Sequence, residues 1–575
     1  MTSIGWLQII IFMTLLIIIS KPLGAYMAII YNGKSNKLCK IIEDFIYKTA
    51  AINPTATMNW KQYLIAMLYF NLLGIIIVYV VQRLQFYLPL NLQHFFAQSP
   101  ELSFNTAISF ATNTNWQAYS GEHSISYFTQ VIALCVQNFT SAATGMSLSI
   151  ALIRGISQHE NSNLGNFWID ATRSILYILL PLSIILAIFL SSQGVIQNFK
   201  PYQQIQLLDK SQLHAIQIIP MGPVASQVAI SQLGSNGGSF FNTNASHPFA
   251  NPNPLTNFFE MLAICLIPAS FFYTFGLIIK DTRQSTAMLK AIFIILLPCL
   301  VITILSEQNL SPMMKKTIID THQQYKLYSA GNMEGKETRF GIINSAMWAT
   351  LSTATSNGSM NTMIDSFNPL GSLMPLWLMQ LGETIFGGVG SGTTNMLIIT
   401  FITIFITGLM VGRTPEYLGK KIESFEIKMA SIAILIMPIT VLIITAIAIM
   451  TTSTSSLINM GAHGFTTILY ACTSLSNNNG SMFAGLNVNT WFYNIIGGLI
   501  MLINRYWTAI AILALAGSLA QKKITPNNYG TLETHTPLFI TLLISILILI
   551  GALAFLPALA LGPIVEQLTL WKQYG

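Results

Sequence analysis

The sequence predicts an all-α polytopic membrane protein with ten transmembrane helices, and three observations carry this prediction. Of the 575 residues, 53% are hydrophobic and only 8% are charged, whereas soluble domains carry about 25% charged residues. Ten mostly apolar runs have roughly the length that a helix needs to cross the hydrocarbon core. Between these runs, a short polar triplet recurs four times at nearly constant spacing.

The apolar runs set the positions of the predicted helices. In chain order they cover residues 4–20, 63–85, 127–153, 174–192, 258–279, 289–306, 394–412, 429–450, 491–518 and 538–561. The first basic residue, Lys21, follows the first run, whereas a secretory signal has its positive charge before the apolar run. We therefore expect the first segment to be retained as a helix that enters the membrane from outside.

Basic residues give the predicted orientation. With the N-terminus outside, most of the 27 Lys and Arg residues fall in inner loops, as the positive-inside rule requires. Both termini are then expected outside. The net charge of +7 is explained by these loops, so we expect contact with membrane lipids and no binding of nucleic acid.

The four triplets are the centre of the predicted architecture. They are Asn113-Thr114-Asn115, Ser235-Asn236-Gly237, Ser356-Asn357-Gly358 and Asn478-Asn479-Gly480. Their third residues, at 115, 237, 358 and 480, are 122, 121 and 122 residues apart, and a serine stands six positions before each. A fixed period indicates a repeated structural unit. Loops with glycine can turn backbone carbonyls inward, and rings of carbonyls can replace the hydration shell of an alkali cation.

Four surface turns are the alternative interpretation, because Asn, Gly and Ser dominate turns. The equal spacing favours the ion site. The segments before the triplets, 104–112, 225–234, 345–355 and 465–476, are too short to span a membrane and suit re-entrant pore helices. The predicted fold is therefore four helix–pore loop–helix repeats around one axis. Its units are residues 1–62, an extra helix with an inner loop; 63–173, 174–288, 289–428 and 429–525, the four repeats; and 526–575, a last helix.

Three long outer segments, 86–112, 193–234 and 307–350, hold most of the outer charges. They form either a cap around the entrance of the ion site or plain connecting loops. The five cysteines form no CxxC pair, and the histidines form no HExxH motif, so we expect no transition-metal site.

Several single residues are candidates for the ion pathway. Asn115 stands where the other triplets have glycine, and Gln117 can hydrogen-bond the loop backbone. Arg505 lies inside a predicted span, where an arginine usually faces a cavity or a carboxylate, although it could instead extend to the interface. Glu383 precedes a glycine-rich segment that breaks any helix, and is either part of a gate or a helix cap. The glycines of that segment are Gly387, Gly388, Gly390 and Gly392.

Longer motifs resemble a known family. They are TNTNWQ at 112–117, MGPVASQ at 221–227, SHPFANPNPLTNFFEML at 246–262, GETIFGGVGSG at 382–392, GRTPEYLGKKI at 412–422 and NNNGSMFAGL at 477–486. They are similar to the potassium-binding, channel-like A subunit of the Kdp potassium-transporting P-type ATPase. The resemblance implies that the twelve triplet residues form a potassium selectivity filter. The family often has Thr at the position of Ser235 and Cys at that of Asn357, which affects fine selectivity more than the choice of ion.

The resemblance also implies partners and a location. In this family a separate P-type protein, KdpB, hydrolyses ATP, together with the single-helix protein KdpC and often a further, tiny subunit. This chain has neither a DKTGT phosphorylation motif nor a Walker lysine motif, so it is expected to be a non-hydrolysing subunit in a bacterial inner membrane, with periplasmic termini. No cofactor is expected, and K⁺ is the transported ion. Arg413 would contact the ATPase subunit.

Two other functions are open at this point. A stand-alone K⁺ channel or cation symporter of the Trk, Ktr and HKT superfamily shares the four-repeat plan, but it would not need to dock a pump. A membrane enzyme acting on lipid would need a cluster of His, Asp or Glu near one interface, and the sequence shows no such cluster.

Overall fold

The computed structural model describes residues 3–33, 37–207, 216–310, 331–451, 456–525 and 532–574. The helices in chain order are α1 Ser3–Tyr31, α2 Lys37–Thr49, α3 Trp60–Leu84, α4 Pro100–Ala111, α5 Thr129–Ser157, α6 Phe167–Ser192, α7 Val224–Leu233, α8 Pro254–Ile278, α9 Thr282–Glu307, α10 Gly341–Ala354, α11 Pro369–Gln380, α12 Ser391–Val411, α13 Ser424–Met450, α14 Gly461–Ser476, α15 Trp491–Gln521, α16 Pro537–Leu559 and α17 Val565–Tyr574. Helices α5 and α6 each contain a π-helical stretch, Thr129–Cys135 and Ser174–Leu179.

The predicted fold class is confirmed. Within the described ranges ten helices are long and apolar enough to cross a membrane, namely α1, α3, α5, α6, α8, α9, α12, α13, α15 and the helix that begins with α16. Each of the four predicted pore helices is present, as α4, α7, α10 and α14. The four units are therefore α3–α4–α5, α6–α7–α8, α9–α10–α12 and α13–α14–α15, with α1 before them and α16 after them.

The pore helices are short because local signals start and stop them. Ser99 caps α4 by accepting a hydrogen bond from the backbone N–H of Leu102, and Pro100 occupies the first turn, where its missing N–H costs nothing. Helix α4 ends at Ala111, directly before the first triplet. Because each pore helix stops at its triplet, each loop begins at a helix C-terminus.

Three features differ from the expectations. Helix α1 continues through Pro22 to Tyr31, so Lys21 lies within the helix and not in a loop. An amphipathic helix, α2, occupies part of the first predicted inner loop. The return helix of the third unit is divided into α11 and α12, with residues 381–390 between them.

Six short strands form three antiparallel pairs in the connections. β1 Met58–Asn59 pairs with β2 Asn163–Gly165, β3 Gln203–Gln206 with β4 Ile216–Ile219, and β5 Glu416–Tyr417 with β6 Lys420–Lys421. The β3–β4 hairpin is largely exposed and extends from the outer segment 193–234. Part of the outer segment 307–350 lies outside the described residues, so the cap predicted there remains a prediction.

Small residues let the helices pack closely. A Cβ atom at Gly24 of α1 would lie 2.6 Å from the carbonyl oxygen of Ser270 in α8. One at Gly155 of α5 would lie 2.5 Å from the carbonyl oxygen of Ala516 in α15. Such contacts are typical of helix pairs in membranes, where association depends on close backbone approach.

The β5–β6 hairpin explains part of the GRTPEYLGKKI motif. It places the buried ammonium of Lys420 between the ends of α5 and α15, where Nζ donates to the carbonyl oxygens of Gly155 at 2.9 Å and of Leu519 at 2.7 Å. It also donates to Gln158. A cation at helix C-termini satisfies carbonyls that have no helical partner and complements the helix dipoles. Lys420 thus ties together the return helices of the first and fourth units.

A partly buried histidine holds the C-terminal helix to the pore region. His463, in the first turn of α14, lies 2.8 Å from Oδ1 of Asp365 through Nε2 and 2.9 Å from Oε1 of Glu566 through Nδ1. Asp365 follows the third triplet and Glu566 belongs to α17. Burial opposes the charged imidazolium, but hydrogen bonds and charges of the two carboxylates outweigh it and raise the pKa of His463 to about 10.

This cluster predicts a loss of stability at alkaline pH. The folded pKa lies above the unfolded value of about 6.5, so the stabilisation is fully present below about pH 6.5 and is lost as the pH rises through about 10. We expect the unfolding midpoint of the detergent-solubilised protein to fall between about pH 7 and about pH 10, and to fall much less in His463→Gln. Thermal unfolding at several pH values measures this.

The matched control is His159→Gln, because His159 is exposed. It should keep the pH dependence of the parent protein. Equal pH dependence in the parent and in His463→Gln would show that the two carboxylates do not hold a charged imidazolium.

Candidate functional site

The four triplets form one closed ring of loops, in chain order around an axis. A Cβ atom at Gly237 would lie 1.8 Å from the carbonyl oxygen of Asn357, and one at Gly358 would lie 1.9 Å from that of Asn479. A Cβ at Gly480 would lie 2.1 Å from the carbonyl oxygen of Thr114. The third residue of each of these loops therefore touches the middle carbonyl of the next loop, and only glycine fits there.

The remaining contact in the ring uses a different arrangement. The first triplet has Asn115 at the third position, and its side chain lies over Gly238, where a Cβ would be 2.6 Å from the Asn115 Nδ2 atom. The residues that correspond to Gly238 are Trp116, Ser359 and Ser481. The asparagine in one loop is thus accommodated because the neighbouring loop lacks a side chain at this point.

The loop backbones share an unusual conformation. The first and third residues of every triplet have positive φ, from 47° at Ser235 to 94° at Gly480, whereas the middle residues do not. Non-glycine residues rarely adopt positive φ, and Asn does so more readily than most. Alternation of this kind can turn successive carbonyls to the same side of the chain, which is the geometry that a ring of carbonyl ligands needs.

The repeated serine accepts hydrogen bonds from each loop through its backbone. The carbonyl oxygen of Ser109 accepts from the N–H groups of Thr114 and Asn115, at 2.9 and 3.1 Å, and that of Ser231 accepts from Asn236 and Gly237, at 2.9 and 3.2 Å. The carbonyls of Ser352 and Ser474 accept from the middle residues of their own loops, each at 2.9 Å. Because these N–H groups are satisfied by the pore helix, the loop carbonyls are not needed as their partners.

Side-chain amides join neighbouring loops. Nδ2 of Asn357 donates to the Ser231 carbonyl, and Nδ2 of Asn479 donates to the Ser352 carbonyl, both at 3.2 Å. Nδ2 of Asn113 donates to the carbonyl of Ser235 at 2.9 Å. Nδ2 of Asn478 donates to Oγ1 of Thr114 at 2.8 Å. These bonds link every loop to a neighbour, so the ring is held by the protein alone.

Gln117 follows the first triplet and supports the segment after the second triplet. Its Nε2 donates to the carbonyl of Ser239 at 2.9 Å, and its Oε1 accepts from the Ser239 N–H at 3.1 Å. Ser239 lies two residues after Gly237. Gln117 therefore connects the segments that follow the first and second triplets.

A wide cavity opens on one face of the ring. Its volume is about 770 Å³, and it is lined by the second or third residues of all four loops, by polar residues that follow the loops, and by Lys336 and Glu337 of the segment 307–350. The other face meets the C-terminal ends of the four pore helices. The partial negative charge at a helix C-terminus favours a cation there.

A smaller cavity of about 100 Å³ lies on that opposite face, since it is lined by Asn478 and the end of α14 and not by the third triplet residues. Glu383 and Arg505 both line it. The two side chains interact electrostatically, although in the described part of the chain no carboxylate lies within 4 Å of Arg505. Arg505 is partly buried and lies beside a cavity that Glu383 also lines, as the first of the two interpretations of this residue expects.

The glycine-rich segment fills the break between α11 and α12. Oε2 of Glu383 accepts from Oγ of Ser391. A Cβ at Gly392 would lie 1.4 Å from the carbonyl oxygen of Phe386 and one at Gly387 2.2 Å from that of Glu383. The segment therefore folds back on itself in a way that side chains would prevent.

This segment also reaches across to the first unit. A Cβ at Gly390 would lie 2.4 Å from the carbonyl oxygen of Gly145 in α5, and one at Gly145 would lie 3.0 Å from a guanidinium nitrogen of Arg505. Gly388 is less crowded, with Oγ of Ser391 at 2.9 Å from its Cβ position. The break, α5 and Arg505 consequently meet at one point below the ring.

Arg413 is separate from the ring. It follows Gly412, the left-handed residue that ends α12, and its side chain is exposed. The exposed apolar side chains of Leu409, Met410 and Val411 precede it. Arg413 therefore lies at the protein surface, and its contact with a partner stays a prediction.

Sequence reasoning missed the aromatic supports behind the ring. Nε1 of Trp348 in α10 donates to the carbonyl of Ser359 at 2.7 Å, and the hydroxyl of Tyr470 in α14 lies 2.8 Å from that of Ser481. Trp348 and Tyr470 are 122 residues apart, as are Ser359 and Ser481. The repeat period could have identified both pairs, because the triplets follow the same period.

The sequence as a whole matches one protein family. The family model KdpA, described as potassium-transporting ATPase A subunit, matches residues 10–568. The chain belongs to this family. A potassium-transporting ATPase potassium-binding subunit from Methylococcus capsulatus is 52% identical, covering 99% of both chains. A protein with the same description from Herpetosiphon aurantiacus is 53% identical and covers 99% of this chain and 100% of its own. One from Sorangium cellulosum is also 53% identical and covers 100% of both chains.

A solved structure supports the fold. The potassium transporter TrkH from Vibrio parahaemolyticus superimposes with a TM-score of 0.50 over 88% of this chain and 97% of its own, at 13% sequence identity. At this identity the similarity concerns the fold alone, and it agrees with four units of helix, pore helix and helix.

The ring predicts a specific effect of side chains at its glycines. In Gly358→Asp the new side chain would meet the carbonyl of Asn479 and would need a left-handed φ of 86°, so the ring cannot close around its ligand as before. We expect this variant, and Gly237→Asp with it, to weaken K⁺ uptake at low external K⁺ by at least about tenfold, or to relax selectivity against Rb⁺ and Na⁺. Uptake assays across ion concentrations measure both effects.

Gly461→Ala is the matched control. Gly461 also has positive φ, 77°, but no atom lies within 4 Å of its Cβ position. The alanine variant therefore introduces the backbone strain of a side chain at positive φ without a collision with a neighbouring carbonyl. If both aspartate variants keep the affinity and selectivity of the parent, the ring is not the ion site.

Proposed function

We propose that this chain is the potassium-binding and translocating subunit of an ATP-driven, high-affinity potassium uptake complex. In this proposal the chain takes K⁺ from outside, binds it in the ring of four loops and delivers it to a P-type ATPase subunit. Family membership supports the proposal, as do the relatives described as potassium-binding subunits. The observation that carries it is the closed ring of four loops, in which three junctions bring a glycine against a carbonyl and the fourth brings the Asn115 side chain against Gly238.

The chemistry of the ring favours a monovalent alkali cation. None of the twelve triplet residues is charged, whereas Ca²⁺ and Mg²⁺ sites depend on carboxylates. Backbone carbonyls and neutral hydroxyl or amide oxygens are the ligands that replace the hydration shell of K⁺ in channel filters. The ring remains assembled through its own hydrogen bonds, so little reorganisation is needed when the ion loses its water.

The proposal extends to partners and location. A catalytic P-type protein like KdpB would supply the ATP hydrolysis, with a single-helix protein like KdpC and often a further, small subunit. The complex would lie in the bacterial inner membrane, with both termini of this chain in the periplasm. Arg413 and the exposed apolar end of α12 would form part of the contact with the ATPase subunit, because a guanidinium beside apolar side chains is typical of protein interfaces.

A reconstitution experiment tests the function. Purified alone, the chain should hydrolyse no ATP. Co-expressed with a P-type ATPase subunit of the same complex, it should co-purify as a complex whose ATPase activity rises with K⁺. Robust ATP hydrolysis by the isolated chain, or a complex whose activity ignores K⁺, would contradict the proposal.

A stand-alone channel or symporter is the second candidate, since the potassium transporter TrkH shares the fold. The charge below the ring favours the pump-coupled function. Arg505 lines the small cavity on the inner face and lies against Gly145 and the glycine-rich break. A fixed positive charge at this place opposes free passage of a cation into the cell.

The size of this barrier predicts the effect of removing it. A unit charge about 4 Å from the ion, at an effective dielectric constant near 20, raises its energy by about 4 kcal/mol, and at about 8 Å by half as much. Each 1.36 kcal/mol removed raises a rate about tenfold. We expect Arg505→Gln to increase passive ⁸⁶Rb⁺ flux into proteoliposomes without ATP by at least about tenfold, or to uncouple transport from ATP.

Arg83→Gln is the control, because Arg83 lies at the end of α3 and contacts the carbonyl of Gln98, away from the small cavity. This variant should show the same passive ⁸⁶Rb⁺ flux without ATP as the parent protein. If Arg505→Gln also shows parental passive flux and its transport stays fully coupled to ATP hydrolysis, Arg505 is not the barrier. The break at residues 381–390 then becomes the next candidate for it.

A further inference from the structure

A second buried carboxylate lies behind the ring. Glu260 belongs to α8, the return helix of the second unit, and its exposure is 0%. Its Oε2 accepts a hydrogen bond from Nε2 of Gln232 at 3.1 Å, and its Oε1 has no hydrogen-bond partner in the described part of the protein. No ion pair of the described residues includes it. A buried carboxyl without a cation is unfavourable, so its presence needs an explanation.

The hydrogen bonds of Glu260 lead to the third loop. The same Nε2 of Gln232 donates to Oγ of Ser359 at 3.1 Å. Ser359 directly follows Gly358, and its N–H donates to Oδ1 of Asn357 at 3.0 Å. A short chain of contacts therefore runs from Glu260 through Gln232 to the loop of Asn357 and Gly358.

Comparison of the third and fourth loops shows why the third loop depends on the hydrogen bonds from Gln232. In the fourth loop the hydroxyl of Ser481 is bound by the hydroxyl of Tyr470, from its own pore helix. In the third loop Trp348 takes the place of Tyr470, and its Nε1 donates to the carbonyl of Ser359, not to the hydroxyl. The hydroxyl of Ser359 is thus held by Gln232 of the neighbouring unit.

The repeat gives independent support. Glu260 lies 23 residues after Gly237, and Asn138 of α5 lies 23 residues after Asn115. Asn138 is also fully buried, and its Oδ1 accepts from Nδ2 of Asn115 at 2.8 Å. The return helices of the first two units therefore each place one polar acceptor behind the ring at the same position.

We propose that Glu260 is a positioning residue for the third loop, which it holds in its ion-binding geometry by fixing Gln232 against Ser359. This inference rests on the proposed function, since it assigns to Glu260 a role in the same ring. The Glu260 carboxyl accepts one hydrogen of the Gln232 side-chain amide. The other amide hydrogen of Gln232 is thereby directed to the Ser359 hydroxyl. Glu260 itself does not contact the ion.

Two substitutions at this position separate the hydrogen bond from the ionisable carboxyl. Glu260→Met has a similar volume but no acceptor, so Gln232 is free to turn and the third loop loses its support. Glu260→Gln keeps an acceptor oxygen and removes the ionisable group. In the complex with the ATPase subunit, we expect Glu260→Met to raise the KM for K⁺ about tenfold, equivalent to about 1.4 kcal/mol, with kcat within about twofold of the parent. Glu260→Gln should keep a KM near that of the parent.

Other members of the chain of contacts should behave in the same way. Gln232→Met and Ser359→Ala should each raise the KM for K⁺, and the double variant Glu260→Met/Gln232→Met should be no worse than either single variant, because both remove one interaction. If Glu260→Met does not assemble, these two variants decide the question. Gln284→Met is the control, since Gln284 is a buried glutamine that binds Thr534 far from the ring, and its KM should match the parent.

A parental KM in Glu260→Met, a KM in Glu260→Gln as high as in Glu260→Met, or additive effects in the double variant would each overturn the inference. Gly358→Asp, measured in the same assay, distinguishes this failure from a failure of the proposed function. If Gly358→Asp loses K⁺ dependence while Glu260→Met keeps it, the ring is the ion site and Glu260 has no part in positioning it.

Discussion

The structure depends on one constraint, which is that non-helical backbone at membrane depth must find its hydrogen bonds inside the protein. Each triplet meets this constraint through the serine carbonyl six residues earlier, which accepts the loop N–H groups, as Ser109 does for Thr114 and Asn115. The N–H groups are then satisfied from the pore-helix side, and the carbonyls are left for the ring. The short pore helices, the left-handed residues and the close packing of the four units all follow from holding these loops in the interior.

The four units are similar in sequence position but not equivalent in chemistry. Asn115 takes the place of a glycine, and Gly238 provides the space for it. The return helix of the third unit is broken, and its glycine-rich segment contacts α5 of the first unit below the ring. The break is therefore on the face of the ring that meets the small cavity, which Glu383 and Arg505 both line.

The sequence was sufficient for the spans, the pore helices and the position of the loops, because each depends on local composition and on the repeat period. It was not sufficient for α11. The segment PLGSLMPLWLMQ is twelve residues long, contains Pro375 and is only partly apolar, so neither length nor hydropathy marks it as half of a return helix. It also could not show which polar groups meet. Lys420 binds the carbonyl of Gly155 across 265 residues, and such a contact depends on tertiary packing that no local pattern encodes.

The distribution of charge around the ring explains how binding and transport can be separated. Above the ring, the wide cavity gives water and ions access to the third triplet residues, and the ring itself carries no formal charge. Below it, the Glu383 carboxyl and the Arg505 guanidinium line a cavity of about 100 Å³, where the guanidinium opposes a cation and the carboxyl oxygens favour one. Because low-dielectric surroundings strengthen such interactions, a displacement of either side chain would change the net barrier. Helix α12 begins at the break that holds Glu383, so a movement of α12 would shift this carboxyl and change the barrier below the ring without altering the ring.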